Sequence, residues 1–217
     1  IMPSLVGSEM CIRDRTCTVH NLGKALSLKK KKVLLIDCDA QANLSQVVGF
    51  EDAEKTLVDA LRGEELPIYS IAKNFDIVPA NLGLGLVEEI LRTKGIGGYN
   101  VLADLLKPLE YDYVLLDCPP SVSILVSNAF IASTSILIPV VPESGAIHGL
   151  DNIFTLYTDC LKLNPTIQIE GIVFTRVKSH TALHRQLMEQ IEENYQDVSI
   201  FSNVIREGIA LAETSTL

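Results

Sequence analysis

The sequence predicts an α/β fold of three layers: a mainly parallel sheet with helices on both faces. Short continuous apolar runs, the kind buried on both faces of a parallel sheet, alternate with stretches of helical periodicity. Two of those runs, LLID at 34–37 and VLLD at 114–117, end in an aspartate. No repeat, low-complexity segment or linker divides the 217 residues, and 47% hydrophobic content is enough for one sizeable core. Strands alternating with helices imply right-handed crossovers between parallel strands.

The elements follow in order. Val19, Leu22 and Leu26 recur at helical spacing, so 16–28 reads as a helix, and Lys29 to Lys32 as a solvated turn. Val33 to Ile36 is a buried strand. A short helix is expected at 56–62, closed by Gly63. FDIVPA at 75–80 reads as a strand, followed by a helix carrying Leu86, Ile90 and Leu91. A glycine-rich turn at 95–98 leads to a helix at 100–107. YDYVLLDCPPS at 111–121 contains the second strand that ends in aspartate, and SILIPVV at 135–141 forms another. Leu150, Ile153, Phe154, Tyr157 and Leu161 mark a long helix. IEGIVFT at 169–175 is a strand, Leu183, Leu187 and Ile191 mark a helix, and a last strand is expected at 198–205.

Composition excludes several classes. No apolar run approaches the ~20 residues that span a bilayer, and the N-terminus lacks a basic-then-apolar secretory layout. Five cysteines with no CxxC pair read as reduced, cytosolic thiols rather than a disulfide framework or zinc site. A net charge of −9 argues against an all-over basic nucleic-acid coat, though not against a local basic patch.

The chemistry concentrates in VLLIDCDAQANLSQ, residues 33–46, where a strand runs into Asp37, Asp39, Gln41, Asn43 and Ser45. One reading is a solvated turn, since Asp and Asn are good turn formers. The other is a ligand site, because open α/β sheets bind ligands at the carboxyl ends of strands. Asp37, Asp39 and Asp117 would all lie at that edge. A carboxylate after such a run is the Walker B arrangement, which holds Mg²⁺ through water beside a triphosphate. The paired prolines of DCPPS stiffen the backbone next to it. A single strand ending in aspartate is weak evidence; two, with DxDxQxN after the first, favour the ligand site.

These residues also carry a resemblance. KKVLLIDCDAQANLSQ resembles the KKVLLIDxDPQxNxT segment of the ParA/Soj family, P-loop ATPases with a deviant Walker motif that partition chromosomes and plasmids. YDYVLLDCPPSVSILVSNAF resembles its Walker B and switch region, ILIPVVPESGAIHGLDNI its next strand and helix, and VIREGIALAE a segment near the nucleotide base. The similarity spans 16–217 in the right order. Ala40 in place of the usual proline and Ser144-Gly145 in place of an aromatic pair depart from the pattern.

The resemblance implies a P-loop NTPase-like, AAA-type ATPase domain that uses ATP and Mg²⁺. It also implies closure into a homodimer on ATP, non-specific DNA binding, stimulation by a ParB-type partner and a cytoplasmic, nucleoid-associated location, with no membrane. Carried over residue by residue, Thr16, Asp37 and Asp117 serve the metal and Asp39 is the catalytic residue that orients or activates the attacking water. Cys17 and Pro119 adjoin the nucleotide, while Thr175, Arg176, Ile205 and Arg206 are candidates for the base pocket, with ordinary turn residues as the competing reading.

The family's KGGxGKTT loop has no counterpart here. EMCIRDRTC places Arg15 at the loop lysine and Thr16 at the metal-binding hydroxyl, with Gly7 the nearest glycine upstream. A planar guanidinium does not replace a compact ammonium at the phosphates. Residues 1–15 resemble translated sequencing-adapter read-through and are expected to be a non-native leader that packs poorly and forms no convincing strand. Residues 16–217 are expected to be a partial ATPase domain, shortened at its C-terminus and inactive as it stands. Rival readings are a MinD-like membrane-cycling ATPase, a reductase resembling the nitrogenase iron protein, and a non-catalytic DNA-binding adaptor. Cys38 and Cys118 read as small buried thiols, and His20 as a packing or surface residue. Arg176, Lys178, His180, His184 and Arg185 read equally as a DNA patch or as a solvated loop and helix face.

Overall fold

A computed structural model describes residues 3–5, 12–178 and 181–207. Its strands are β1 (Pro3–Leu5), β2 (Val33–Asp37), β3 (Tyr69–Ala72), β4 (Phe75–Val78), β5 (Tyr113–Asp117), β6 (Ser135–Val140) and β7 (Gln168–Phe174). The helices are α1 (Ile12–Leu28), α2 (Asn43–Val47), α3 (Leu57–Leu61), α4 (Leu84–Thr93), α5 (Val101–Leu106), α6 (Ile124–Ala132), α7 (Ala146–Cys160) and α8 (Ala182–Asn194). The seven strands form one sheet in the order β3-β4-β2-β5-β1-β6-β7. Every neighbouring pair is parallel except β3 with β4, an antiparallel hairpin at one edge.

The period of two along β2 sorts its side chains into two cores. Val33 and Leu35 pack with Phe75, Ile77 and Leu115 beneath Val19 of α1. Leu34 and Ile36 point the other way and join Val78, Val114 and Leu116 under residues of α3 to α6. All five residues of β2 are buried, which is why the strand reads as an unbroken apolar run. Gly23 lets α1 lie close to the sheet, since a Cβ there would stand 2.7 Å from Leu35 Cδ2. Thr56 and Asp59 form a capping box that starts α3, and Gly63, at φ 112, follows it.

Several elements differ from the sequence expectation. Pro3–Leu5, expected to form no convincing strand, pairs in parallel with both β5 and β6 at the centre of the sheet. The pairing meets backbone groups of β5 and β6 that a gap between them would leave without partners. The segment 6–11, which holds the loop position, lies outside the described residues. Helix α1 begins at Ile12, four residues before the expected start. No regular strand forms over 198–205; Ile200 makes an isolated bridge to Ile172, and Arg206, just beyond the segment, one to Val177. Helix α4 buries Leu84, Val87 and Leu91, whereas Leu86 and Ile90 face outward at 68% and 40% exposure. Elements β3, α2 and α6 were not anticipated; α6 is buried along nearly all its length and so has no polar face to give it periodicity.

Candidate functional site

Asp37 and Asp117 are the last residues of β2 and β5 and lie in direct register. The Cys38 N–H donates to the Asp117 carbonyl at 2.9 Å and carries the pairing one step further. Side chains in register on adjacent parallel strands point to the same face, so two carboxylates stand side by side, at 0% and 2% exposure. Thr16, in the first turns of α1, completes the group: its hydroxyl donates to Asp117 Oδ2 at 2.7 Å.

The DxDxQ segment then folds back on itself. The Asp39 N–H donates to Asp37 Oδ1 at 3.1 Å and the Gln41 N–H to Asp39 Oδ1 at 2.9 Å, two successive Asx turns. Ala42 follows in the left-handed region at φ 53 and starts α2. There Ser45 donates from both its N–H and its hydroxyl to Asp37 Oδ2, at 2.9 and 2.7 Å. The same hydroxyl accepts from the Ala80 N–H at 2.9 Å and ties β2 to the end of β4. The sequence analysis named Ser45 only as part of the polar row after β2 and gave it no role; its two bonds to Asp37 make it a site residue.

Burial is the main influence on both carboxyls. It pushes Asp37 up to about 6 against the lowering effect of Ser45 and the Asp39 N–H. It pushes Asp117 up to about 8, with the Asp37 charge adding to the rise and Arg15 and Thr16 opposing it. Two buried carboxyls side by side repel one another, Arg15 offsets this at Asp117 only in part, and a divalent cation would supply the rest. Among the described residues no group of three or more His, Cys, Asp or Glu is placed to hold a metal unaided. Thr16, Asp37 and Asp117 would therefore share such an ion with oxygens of a ligand. Arg15 is 1% exposed, and its Nε and Nη1 have no hydrogen-bond partner. A buried guanidinium with two nitrogens unpaired, close to these carboxyls, fits an anionic ligand.

The other expected residues fall into place around this group. Cys17 is half-buried with its Sγ accepting from Asn21, and Pro119 is buried two residues beyond Asp117. Thr175, at the end of β7, donates to Asp14 Oδ2 at 3.4 Å, next to the start of α1. Ile205 and Arg206 lie against Thr175 and Arg176 through Ile205 N–H to Phe174 O (2.8 Å) and Val177 N–H to Ile205 O (3.1 Å). The structure thus forms two groups, the carboxylates with Thr16 and the 175–176 pair with 205–206. Asp14 lies between them. Cys38 and Cys118 are buried thiols, with their ionisation pushed well up by burial. His20 is a half-buried packing residue, 6.2 Å from the Phe75 ring.

The five basic residues of 176–185 do not form one free patch. Arg176 and Lys178 both pair with Glu207, at 3.3 and 3.6 Å. His184 is buried, with Nδ1 accepting from the Lys178 N–H. His180 lies outside the described residues. Among the described residues no helix is long and apolar enough to cross a membrane.

A family model described as an AAA domain matches residues 14–169. The sporulation initiation inhibitor protein Soj of Bacillus subtilis is 33% identical over 210 residues, covering 92% of this chain and 81% of Soj. The chromosome partitioning protein ParA of Caulobacter vibrioides is 32% identical over 210 residues, covering 92% of this chain and 78% of ParA. The chain belongs to the ParA/Soj family. Its three-layer fold is that of the family's P-loop NTPases. A solved ATP complex of a Cyanothece McdA variant superposes with a TM-score of 0.89 at 28% identity, covering 99% of this chain and 87% of that one.

Proposed function

We propose that the carboxylate cluster is the ATP·Mg²⁺ site of a partitioning ATPase that acts with non-specific DNA, a ParB-type partner and a second copy of itself. The observation that carries this reading is the Thr16 hydroxyl bonded to Asp117, with Asp37 in register beside it. Thr16, Asp37 and Asp117 hold the metal, and Asp39 orients or activates the attacking water. Mg²⁺, when bound, supplies neutralisation of charge on the phosphate oxygens. Ser45 keeps Asp37 in place, and Thr175, Arg176, Ile205 and Arg206 border the nucleotide base. Cys17 and Pro119 flank the phosphates. The protein works in the cytoplasm, on the nucleoid.

As it stands, the chain binds ATP weakly and hydrolyses it negligibly. Phosphoryl transfer depends on positioning and charge neutralisation, and a glycine-rich nest of N–H groups does much of both. The residues ahead of Thr16 include one glycine and no lysine.

Phosphate release and nucleotide affinity test the reading on three proteins: the chain itself, the chain with a strand and KGGxGK loop placed ahead of Thr16, and that protein carrying Asp39→Ala. The loop-restored protein is expected to bind ATP and turn it over slowly, and Asp39→Ala to keep binding and lose turnover. Robust hydrolysis by the chain itself, or full turnover by Asp39→Ala, would overturn the assignment.

A further inference from the structure

A cavity of about 390 Å³ lies between α8 and the 204–206 segment, and the carboxylate cluster has no part in it. Val177, Met188 and Val204 give it an apolar floor. The rest of its lining is polar and divided by sign. Arg185 lies near the start of α8, beside Thr181. Arg206 belongs to the same end, because its backbone bridges to Val177, just ahead of α8. Glu189 and Glu192 line the cavity one and two turns further along the helix.

These charges do not neutralise one another. Arg185 and Glu189 are four apart, the spacing at which opposite charges on a helix meet. Even so, none of the four enters an ion pair among the described residues. Glu207, next to Arg206 in sequence, is taken by Arg176 and Lys178. Along α8, at ~1.5 Å per residue, Arg185 stands roughly 6 Å from Glu189 and roughly 10 Å from Glu192. The dipole of the helix runs in the same sense, positive at the Arg185 end.

We propose that this cavity binds a small bipolar molecule, with a carboxylate at the Arg185–Arg206 end, an ammonium at the Glu189–Glu192 end and a short aliphatic chain between them. The reading goes beyond the nucleotide site and does not depend on it. A guanidinium matches a carboxylate in a two-bond fork, and the two glutamates offer only acceptors, which an ammonium satisfies. Val177 and Val204 fit an aliphatic body, and the flexible Met188 adapts to its shape. The volume falls within the range of small-molecule sites. A ligand with negative charge alone, nucleic acid included, meets repulsion from Glu189 and Glu192, and one with positive charge alone meets it from the arginines. Extended ε-aminocaproate carries its two charges at a separation suited to the spacing along α8.

The test is a proton–nitrogen correlation NMR titration of the chain with ε-aminocaproate, and with caproate and hexylamine as probes that keep one charge each. ε-Aminocaproate is expected to shift the amide signals of Val177, Met188 and Val204. It should bind at least about tenfold more tightly than either single-charge probe, the factor that loss of one charge-assisted contact implies. Arg185→Gln is expected to remove most of its advantage over hexylamine. Glu189→Gln combined with Glu192→Gln is expected to remove most of its advantage over caproate. All three side chains are exposed, so the variants should fold, and thermal midpoints confirm it. No saturable shift at these amides, equal binding by the three probes, or an ε-aminocaproate affinity unchanged in both variants would each overturn the proposal.

Discussion

Replacing Ser45 with alanine removes the group that fastens Asp37 to the sheet. The Ser45 hydroxyl lies 2.7 Å from Asp37 Oδ2 and accepts the Ala80 N–H at 2.9 Å, and Ser45 and Asp37 are both 0% exposed. Alanine leaves a buried backbone N–H without a partner, a loss of about 1–3 kcal/mol, and takes a hydrogen bond from a carboxylate, worth about 1.5–3 kcal/mol. The Ser45 N–H still reaches Asp37 and part of the strain relaxes, so the net destabilisation is about 3 kcal/mol. For a chain of this size that is a drop of roughly 6–12 °C in thermal midpoint. Urea denaturation of Ser45→Ala, with Ser45→Thr as the variant that keeps the hydroxyl, measures it. A loss under about 0.5 kcal/mol with an unchanged m-value would refute the assignment of Ser45 as a structural latch.

Three other outcomes follow from particular residues. A Cβ on Gly98 would overlap the Leu91 carbonyl oxygen, so Gly98→Ala is expected to destabilise by about 3 kcal/mol or more in urea titration. Lys30→Gly relieves a left-handed lysine at φ 63 and is expected to raise stability by about 1 kcal/mol in the same measurement. The folded-state pKa values of Asp37 and Asp117 are raised, so the folded protein holds protons that the unfolded chain has released. Their contribution is therefore fully present below about pH 4 and is lost as pH rises through about 6 and about 8. Thermal midpoints in chelator should show the Asp117→Asn midpoint minus that of the unmodified chain rising across that window; a difference that falls with rising pH would contradict the sign.

Much of the site was legible because it sits where local rules and global fold agree. Runs of buried strand residues ending in Asp37 and Asp117 fixed both strands, and parallel pairing then required the two aspartates to meet. What was not legible depends on partners distant in sequence. Pro3–Leu5 has no strand signature, and it pairs with β5 and β6, more than 100 residues away in sequence. Ser45 acts through Ala80, 35 residues away, which spacing alone does not reveal. The apolar period of α4 was right while its buried face was not, because Leu84 and Val87 compete with Leu86 and Ile90 for the core at nearly the same spacing. The basic residues around 176–185 looked like one cluster in sequence, yet Glu207 claims two of them and His184 is buried.

The central claim is that Thr16, Asp37 and Asp117 together hold a divalent cation alongside a triphosphate. Electron paramagnetic resonance of Mn²⁺ tests it most directly, titrated into the loop-restored protein with and without ATP and repeated with Thr16→Val. The account predicts tight Mn²⁺ binding only with ATP present, weakened at least about tenfold by loss of the Thr16 hydroxyl. Mn²⁺ affinity that ignores both ATP and Thr16→Val would contradict it.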